Sequence, residues 1–510
     1  MFKTIALVLG VSSALMLMPA AADAQKSKDT LRLAITDMFG GLDFAHFPHD
    51  EAGSLTRTIY ETLVVFDERK KVYVPRLAKS WKRIDSTTLE FELRDDVRFH
   101  SGNKFDADDV QYTIAYLSDP ETKIRFKERY DWATVEKLGP YKIRVTSKKP
   151  FATDLQTIAY RIYIYDSRAH KKLQNKADYG RVSPSATGPY RIESMDPHKG
   201  IVLERFDGYY GDRNIYPAPV KRVHGIPIPD RQTQLAQLFT GGIDLIRDVP
   251  ADIARELANR PDAKVTATSA GTVVYVTLDA AGRSANKALT DQRVRKAFMM
   301  AVDRDLIRRT VIPGGETAQT LDAICHPANV ACSVTVKPPS YNPDGAKRLL
   351  AEAGFPNGFD LELSVYAPIK EIGEAIAGQV RQVGIRASVR PLPLSLFVRL
   401  RGQGQLTTFT SLYPTSAQPD VGNLFDFFFS GNRDYWMDPA IQSAKAAGDV
   451  EFDDEKRVAI YEKALDRINE MAYILPVAEL PTVWAHGNDV RIADNPLSSL
   501  ESRLGDWTWR

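Results

Sequence analysis

The chain has 510 residues, more than one compact core usually fills, so two or three domains are expected. Its 67 basic and 65 acidic side chains leave a formal charge of +2, a balance that gives no reason to propose nucleic acid, whose binding surfaces need clustered positive charge. With 44% hydrophobic and 26% charged residues, the composition is that of an ordinary globular protein.

The first residues carry Lys3, an apolar stretch from Ile5 to Met18, Pro19 and the small-residue run Ala22-Asp23-Ala24. That order predicts a secretory signal over residues 1–24, cut before Gln25. The stretch is shorter than the roughly 18–20 apolar residues that span a bilayer. No cysteine stands just after it, so no lipid anchor is expected, and the reading is a freely diffusing periplasmic monomer.

Thr30 to Thr36 alternates as a strand with one buried face, and a helix is expected from about Glu51 to Val65. Leu89, Phe91 and Leu93 form another strand, Ser101-Gly102-Asn103 a polar turn, and Ala107-Asp108-Asp109 opens a helix with acids in its first turn. Strands follow at Tyr141 to Thr146 and Gly200 to Glu204, with a tight connection at Ser185 to Tyr190. Arg231 to Thr240 reads as a helix stopped by Gly241-Gly242.

Val273 to Leu278 is a strand, and Asp291 to Arg309 one long helix with Val294, Phe298, Val302 and Leu306 on one face. Asp344 to Ala353 is a helix closed by Gly354. Strand Leu361 to Tyr366, helix Lys370 to Val383 and strand Ile385 to Pro391 continue the alternation, which ends with helix Asp453 to Ala472 and strand Tyr473 to Val477. Strands alternating with helices predict α/β domains.

Cys325 and Cys332 entering an oxidising compartment are expected to pair. Closing so short a loop is worth roughly 2.5 kcal/mol at most, enough to pin the loop. The alternatives are a reactive Cys325 beside His326, or a metal site, for which only three donors are local. No Gly-x-Ser-x-Gly, Gly-x-x-x-x-Gly-Lys-Ser/Thr or His-Glu-x-x-His pattern appears in the mature chain, and no cofactor is expected. The pairs Gly40-Gly41, Gly241-Gly242 and Gly314-Gly315 read as turns.

Several segments together resemble the extracellular solute-binding proteins of family 5, the dipeptide-, oligopeptide- and nickel-binding receptors of ABC importers. The most specific runs from Leu93-Arg-Asp-Asp-Val through Phe99-His-Ser-Gly102 to Ala107-Asp-Asp-Val110. The others are Tyr60-Glu-Thr-Leu-Val64, Thr187-Gly-Pro-Tyr190, Val294-Arg-Lys-Ala297 with Ala301-Val-Asp-Arg304, Tyr341-Asn-Pro-Asp344 through Gly354, Pro419-Asp420 and Leu475-Pro-Val477. The resemblance implies a periplasmic binding protein-like α/β fold of the cluster C type, two hinged lobes with an additional domain on the first. By that analogy lobe I takes 25–66, 185–272 and 485–510, the additional domain 67–184, and lobe II 273–484. It also implies a cleft that closes on its ligand and displays both lobes to a permease, with ATPase subunits beyond the membrane.

By the same resemblance, the cleft is lined by the loop Asp37 to Asp43, with Phe39 and Gly40, and by Tyr413 to Asp420, with Tyr413, Thr415 and Asp420. Thr415 stands where peptide-binding members carry the aspartate that pairs with the ligand's α-ammonium, and a buried ammonium without a carboxylate is costly. Asp420 is a substitute candidate, though its position is usually structural. Trp436, with Phe425, Phe427, Phe428, Phe429 and Tyr435, forms either a pocket wall or core. Arg399 and Arg401 either reach an anionic group or form a solvated helix face. His46 and His49 are the one close histidine pair and read as loop. The expected ligand is a short peptide or another small polar solute such as an opine, sugar or metal chelate. A periplasmic enzyme using Cys325 or a carboxylate pair, and a chaperone for unfolded peptide, are the readings from other classes.

Overall fold

The computed structural model describes residues 29–36, 40–47, 50–124, 127–181, 185–283, 287–415, 419–493 and 504–510. The predicted signal, Phe39 and His49 lie outside them. Mixed α/β architecture is built around one ten-stranded sheet. From one edge the strands are Ile385–Leu392, Phe359–Tyr366, Thr408–Pro414, Lys264–Leu278, Ile474–His486, Leu245–Ile246, Thr30–Ile35, Arg222–Pro227, Gly200–Arg205 and Tyr190–Asp196. Parallel pairs occur in both outer parts, and the two long central strands are antiparallel to each other.

Those two strands carry the chain from one half to the other. The register of Lys264–Leu278 against Ile474–His486 shifts between Val274 and Tyr275, beside Pro476, and again between Thr268 and Thr272, facing Pro481. Proline cannot donate to a ladder, so each irregularity sits where the partner strand lacks an amide hydrogen. The apolar cores divide at the second one. Ala263 packs with the first half and Val273 to Leu278 with the second, while Leu475 to Ala478 and Val483 to Ala485 divide likewise.

A separate four-stranded antiparallel sheet, in the order Ala78–Arg83, Thr88–Leu93, Lys142–Ser147, Ala133–Gly139, makes the additional domain. Leu89, Phe91, Ile143 and Val145 join Leu31, Leu33 and Tyr60 in one continuous core, so this sheet extends the first half without a core of its own. The turn after Phe99 is tied to the Ser185–Tyr190 connection. His100 donates its backbone N–H to the Ala186 carbonyl at 2.7 Å, and Ser101, Asn103 and Ser185 all donate to the Asp166 carboxylate. At Gly188 an added Cβ would lie 2.4 Å from the Thr58 carbonyl oxygen, which requires glycine there.

Four expectations change. Thr30–Ile35 is buried on both faces, because helices cover the sheet and Arg32 is neutralised by a two-pronged contact with Asp244 at 2.9 and 2.6 Å. The helix after Asp50 ends at Ile59, and the β-branched Val64 and Val65 turn to strand. The predicted long helix is two, Gln292–Met300 and Arg304–Thr310. Asp303 caps the second by accepting from Leu306 N at 2.9 Å, and the break leaves Leu306 42% exposed. Both central strands outrun their predicted lengths, running on past the register shifts that face Pro476 and Pro481.

Candidate functional site

Strand register locates the site. In the first half Ala34 pairs with Ile246 and Ile246 with Ala485, so the carboxyl end of Thr30–Ile35 points toward the stretch around Pro481. From the other half Pro414, the end of Thr408–Pro414, pairs with Thr272. Both carboxyl ends converge on the irregular crossing at Ser269–Gly271, the place where α/β sheets hold ligands.

The first-half loop is fixed from behind. Leu42 N donates to the Gly180 carbonyl at 2.8 Å, and a Cβ on Gly180 would sit 2.3 Å from Asp43 N. Asp43 accepts from the Tyr165 hydroxyl at 2.8 Å and lies 2.7 Å from His46 Nδ1, so His46 is tied into the loop. Gly40 is exposed, its carbonyl accepting from Arg181 Nε. Phe39, its predicted neighbour in the lining, is outside the described residues.

The opposite wall is aromatic and cationic. Tyr413 is buried, with ring centroids 4.9 Å from Phe427 and 5.4 Å from Phe428. Burial, reinforced by the Asp420 and Asp426 charges, holds the Tyr413 hydroxyl above its usual range, and Arg161 at the end of helix Asp154–Arg161 opposes them. Arg401 places its guanidinium carbon 4.2 Å from the Phe427 ring centroid, and its buried Nε has no hydrogen-bond partner among the described residues. Burial also raises Tyr275, which the Arg401 charge and side-chain hydrogen bonds from Ser411 and Arg401 oppose.

The remaining predicted contacts are accounted for by structural partners. Thr415 is buried and donates its hydroxyl to the Gly271 carbonyl at 2.6 Å, tying the wall to the crossing. Asp420, the substitute candidate, has structural partners within the fold. It caps helix Val421–Phe428 through Gly422 N and meets Arg457 at 2.7 and 2.6 Å, both side chains being about 95% buried. Trp436 does likewise: it is buried, its indole N–H donates to the Leu278 carbonyl at 2.9 Å, and Phe429 and Tyr473 pack around it. Arg399 sits on the exposed face of helix Leu394–Gly402, two residues from Arg401, which turns inward. Arg161 and Tyr275 went unread in the sequence, because neither stands in a motif.

The additional domain also touches the second half beyond this wall. Ala152 N donates to the Asp449 carbonyl at 2.9 Å and Asn423 Nδ2 to Gln156 Oε1. Arg83, held by Asp154 at 2.9 and 2.7 Å, lays its guanidinium 4.4 Å over the Phe452 ring. Cys325 and Cys332 are disulfide-bonded, which removes a thiol nucleophile. No group of three or more His, Cys, Asp or Glu suited to a metal occurs among the described residues.

The family described as bacterial extracellular solute-binding proteins, family 5 Middle, matches residues 72–436. Among curated relatives, the glutathione-binding protein GsiB of Escherichia coli (strain K12) is 25% identical over 508 residues, covering 94% of each chain. Among solved structures, NikA from Brucella suis in complex with Fe(III)-EDTA matches with a TM-score of 0.81 and 24% identity, over 94% of this chain and 100% of that one. DppA from Helicobacter pylori in complex with the peptide STSA gives 0.74 and 22%, over 95% and 99%. AgaA from A. tumefaciens R10 in complex with agropinic acid gives 0.72 and 22%, over 94% and 99%. These structural likenesses show the fold.

Proposed function

Because the chain belongs to the bacterial extracellular solute-binding proteins of family 5, we propose that it is an ABC-importer receptor for a carboxylate-bearing, peptide-like solute. The observation that carries the ligand class is Arg401. A guanidinium seated on Phe427, with its buried Nε–H left unpaired among the described residues, offers a carboxylate a charged donor. The solutes named for the relatives, glutathione, a peptide, Fe(III)-EDTA and agropinic acid, all carry carboxylates.

A free α-ammonium is less well served. Thr415 replaces the expected acid and spends its hydroxyl on Gly271, while Asp420 is engaged by Arg457. The reading therefore favours acids with a masked or distant amine over simple dipeptides. Binding biases the lobes toward closure to the extent that the solute contacts both. The closed form then presents both lobes to the permease, and transport energy comes from the ATPase subunits. Export through a cleaved signal and a periplasmic, monomeric existence complete the proposal; no helix among the described residues is long and apolar enough to cross a membrane.

Thermal-shift screening with glutathione, an opine, Met-Leu, Fe(III)-EDTA and neutral sugars tests it, since a solute that binds only the folded form raises apparent stability by mass action. Stabilisation by one or more acids and none by sugars is expected. A sugar that stabilises while every acid fails would overturn the ligand class.

A further inference from the structure

Cys325 and Cys332, whose Cα atoms lie 5.9 Å apart, close a loop whose members reach three separate parts of the molecule. Internally the loop is a tight turn. His326 N donates to Asn329 Oδ1 at 2.9 Å, Asn329 N returns a bond to the His326 carbonyl at 2.8 Å, and Ala331 has a φ of 59°. A left-handed alanine persists only where its surroundings over-determine the backbone, and here the next residue is the covalent anchor.

The first arm is His326. Its Nε2 is 3.8 Å from Glu479 Oε2 and 3.2 Å from Gln319 Nε2, and Gln319 in turn accepts the Glu479 backbone N–H at 2.9 Å. Glu479 pairs with Val273 beside the irregular crossing and accepts from the Ser269 hydroxyl, so this arm ends on the hinge itself. The second arm is Val330, which donates to the Pro419 carbonyl at 2.8 Å and accepts from Val421 N at 3.1 Å, pinning Pro419 and Val421 on either side of the Asp420 cap. The third is the Pro327 carbonyl, which accepts from Lys71 Nζ of the additional domain at 3.0 Å.

We propose that the Cys325–Cys332 loop is a covalent brace that holds the hinge at Glu479 in register with the cleft wall at Pro419–Val421, so that opening the disulfide loosens hinge and wall together. The brace needs no assumption about the solute, and its test is run on ligand-free protein. Hydrogen–deuterium exchange read by mass spectrometry compares the oxidised chain with C325S/C332S. Exchange at the amides of Val421 and Glu479 is expected to speed by about tenfold, with strand Thr88–Leu93 unchanged. Acceleration confined to 325–332 would overturn the proposal. Should the double variant unfold throughout, His326→Ala decides: with the disulfide intact it is expected to speed exchange at Glu479 and leave Val421 as it was. No change at Glu479 in that variant would overturn the hinge arm.

Discussion

Asp420 illustrates how a residue's surroundings decide its role. Its carboxylate meets a guanidinium 37 positions downstream, and neither side chain reaches water to any extent. Asp420→Asn leaves Arg457 charged, buried and poorly compensated, so the expected loss is about 3 kcal/mol of unfolding free energy by denaturant titration. A loss below about 0.5 kcal/mol, the scale of a surface pair, would show that the pair is not buried in solution. The sequence offered the aspartate but could not name its partner, because Arg457 lies in a helix whose contact is set by tertiary packing. Thr415 was the better clue: the absence of an acid is visible without coordinates.

His170 supplies a second residue-scale test. Burial drives its pKa down to about 4 from 6.5; Asp43 opposes this, while Lys176 and His46 add to it, and the Tyr112, Tyr116, Tyr165 and Tyr179 rings enclose the imidazole. A depressed histidine is neutral in the folded state, while the unfolded chain takes up the proton below 6.5. Stability is therefore full above pH 6.5 and falls by about 1.4 kcal/mol per pH unit as pH drops toward 4. Asp109 acts oppositely, because burial raises it from 3.8 to about 6 and its protonated folded form gains as pH falls through that range. The informative quantity is thus the difference between the chain and His170→Gln. Chemical denaturation from pH 7 to 4 is expected to show the unsubstituted chain losing about 3 kcal/mol more than the variant. Parallel pH profiles would contradict the assignment.

At the scale of elements, the seam between the additional domain and the second half closes the molecule at a distance from Arg401. One hydrogen bond between Asn423 and Gln156 and one Arg83–Phe452 stacking contact together amount to about 2 kcal/mol. Removing both in N423A/F452A is expected to weaken every solute by one common factor of about thirtyfold, because the closed form is taxed whatever it holds. Calorimetric titration of two different solutes checks this; a loss that differs between them would mean that the seam belongs to the ligand site. These elements were unevenly legible. Helix starts such as that of Ala107–Ser118 were plain from the first-turn acids Asp108 and Asp109, whereas the break at Asp303 was hidden by apolar spacing that continues across it. The additional domain's seam carries no motif at all, since Ala152 and Gln156, at helix Asp154–Arg161, meet Arg83 only through its tertiary contact with Asp154.

For the whole molecule, the motif series was enough to predict two α/β halves and the family, because glycine-dependent turns such as Gly102 and Gly188 are fixed by backbone geometry and mark the fold. The cleft was less legible. Its position follows from two sets of strand ends meeting at one crossing, and the cation that marks its chemistry is Arg401, on the inward side of a helix whose other face shows Arg399 to solvent. The account's central claim is that this cleft recognises a carboxylate through Arg401. The direct measurement is titration calorimetry of the best-stabilising acid and its neutral amide against the unsubstituted chain and Arg401→Ala. The account predicts a preference for the acid of roughly 10- to 100-fold, worth about 1.5–3 kcal/mol, that disappears in the variant. Equal binding of acid and amide by the unsubstituted chain, or an unchanged preference in Arg401→Ala, would contradict it.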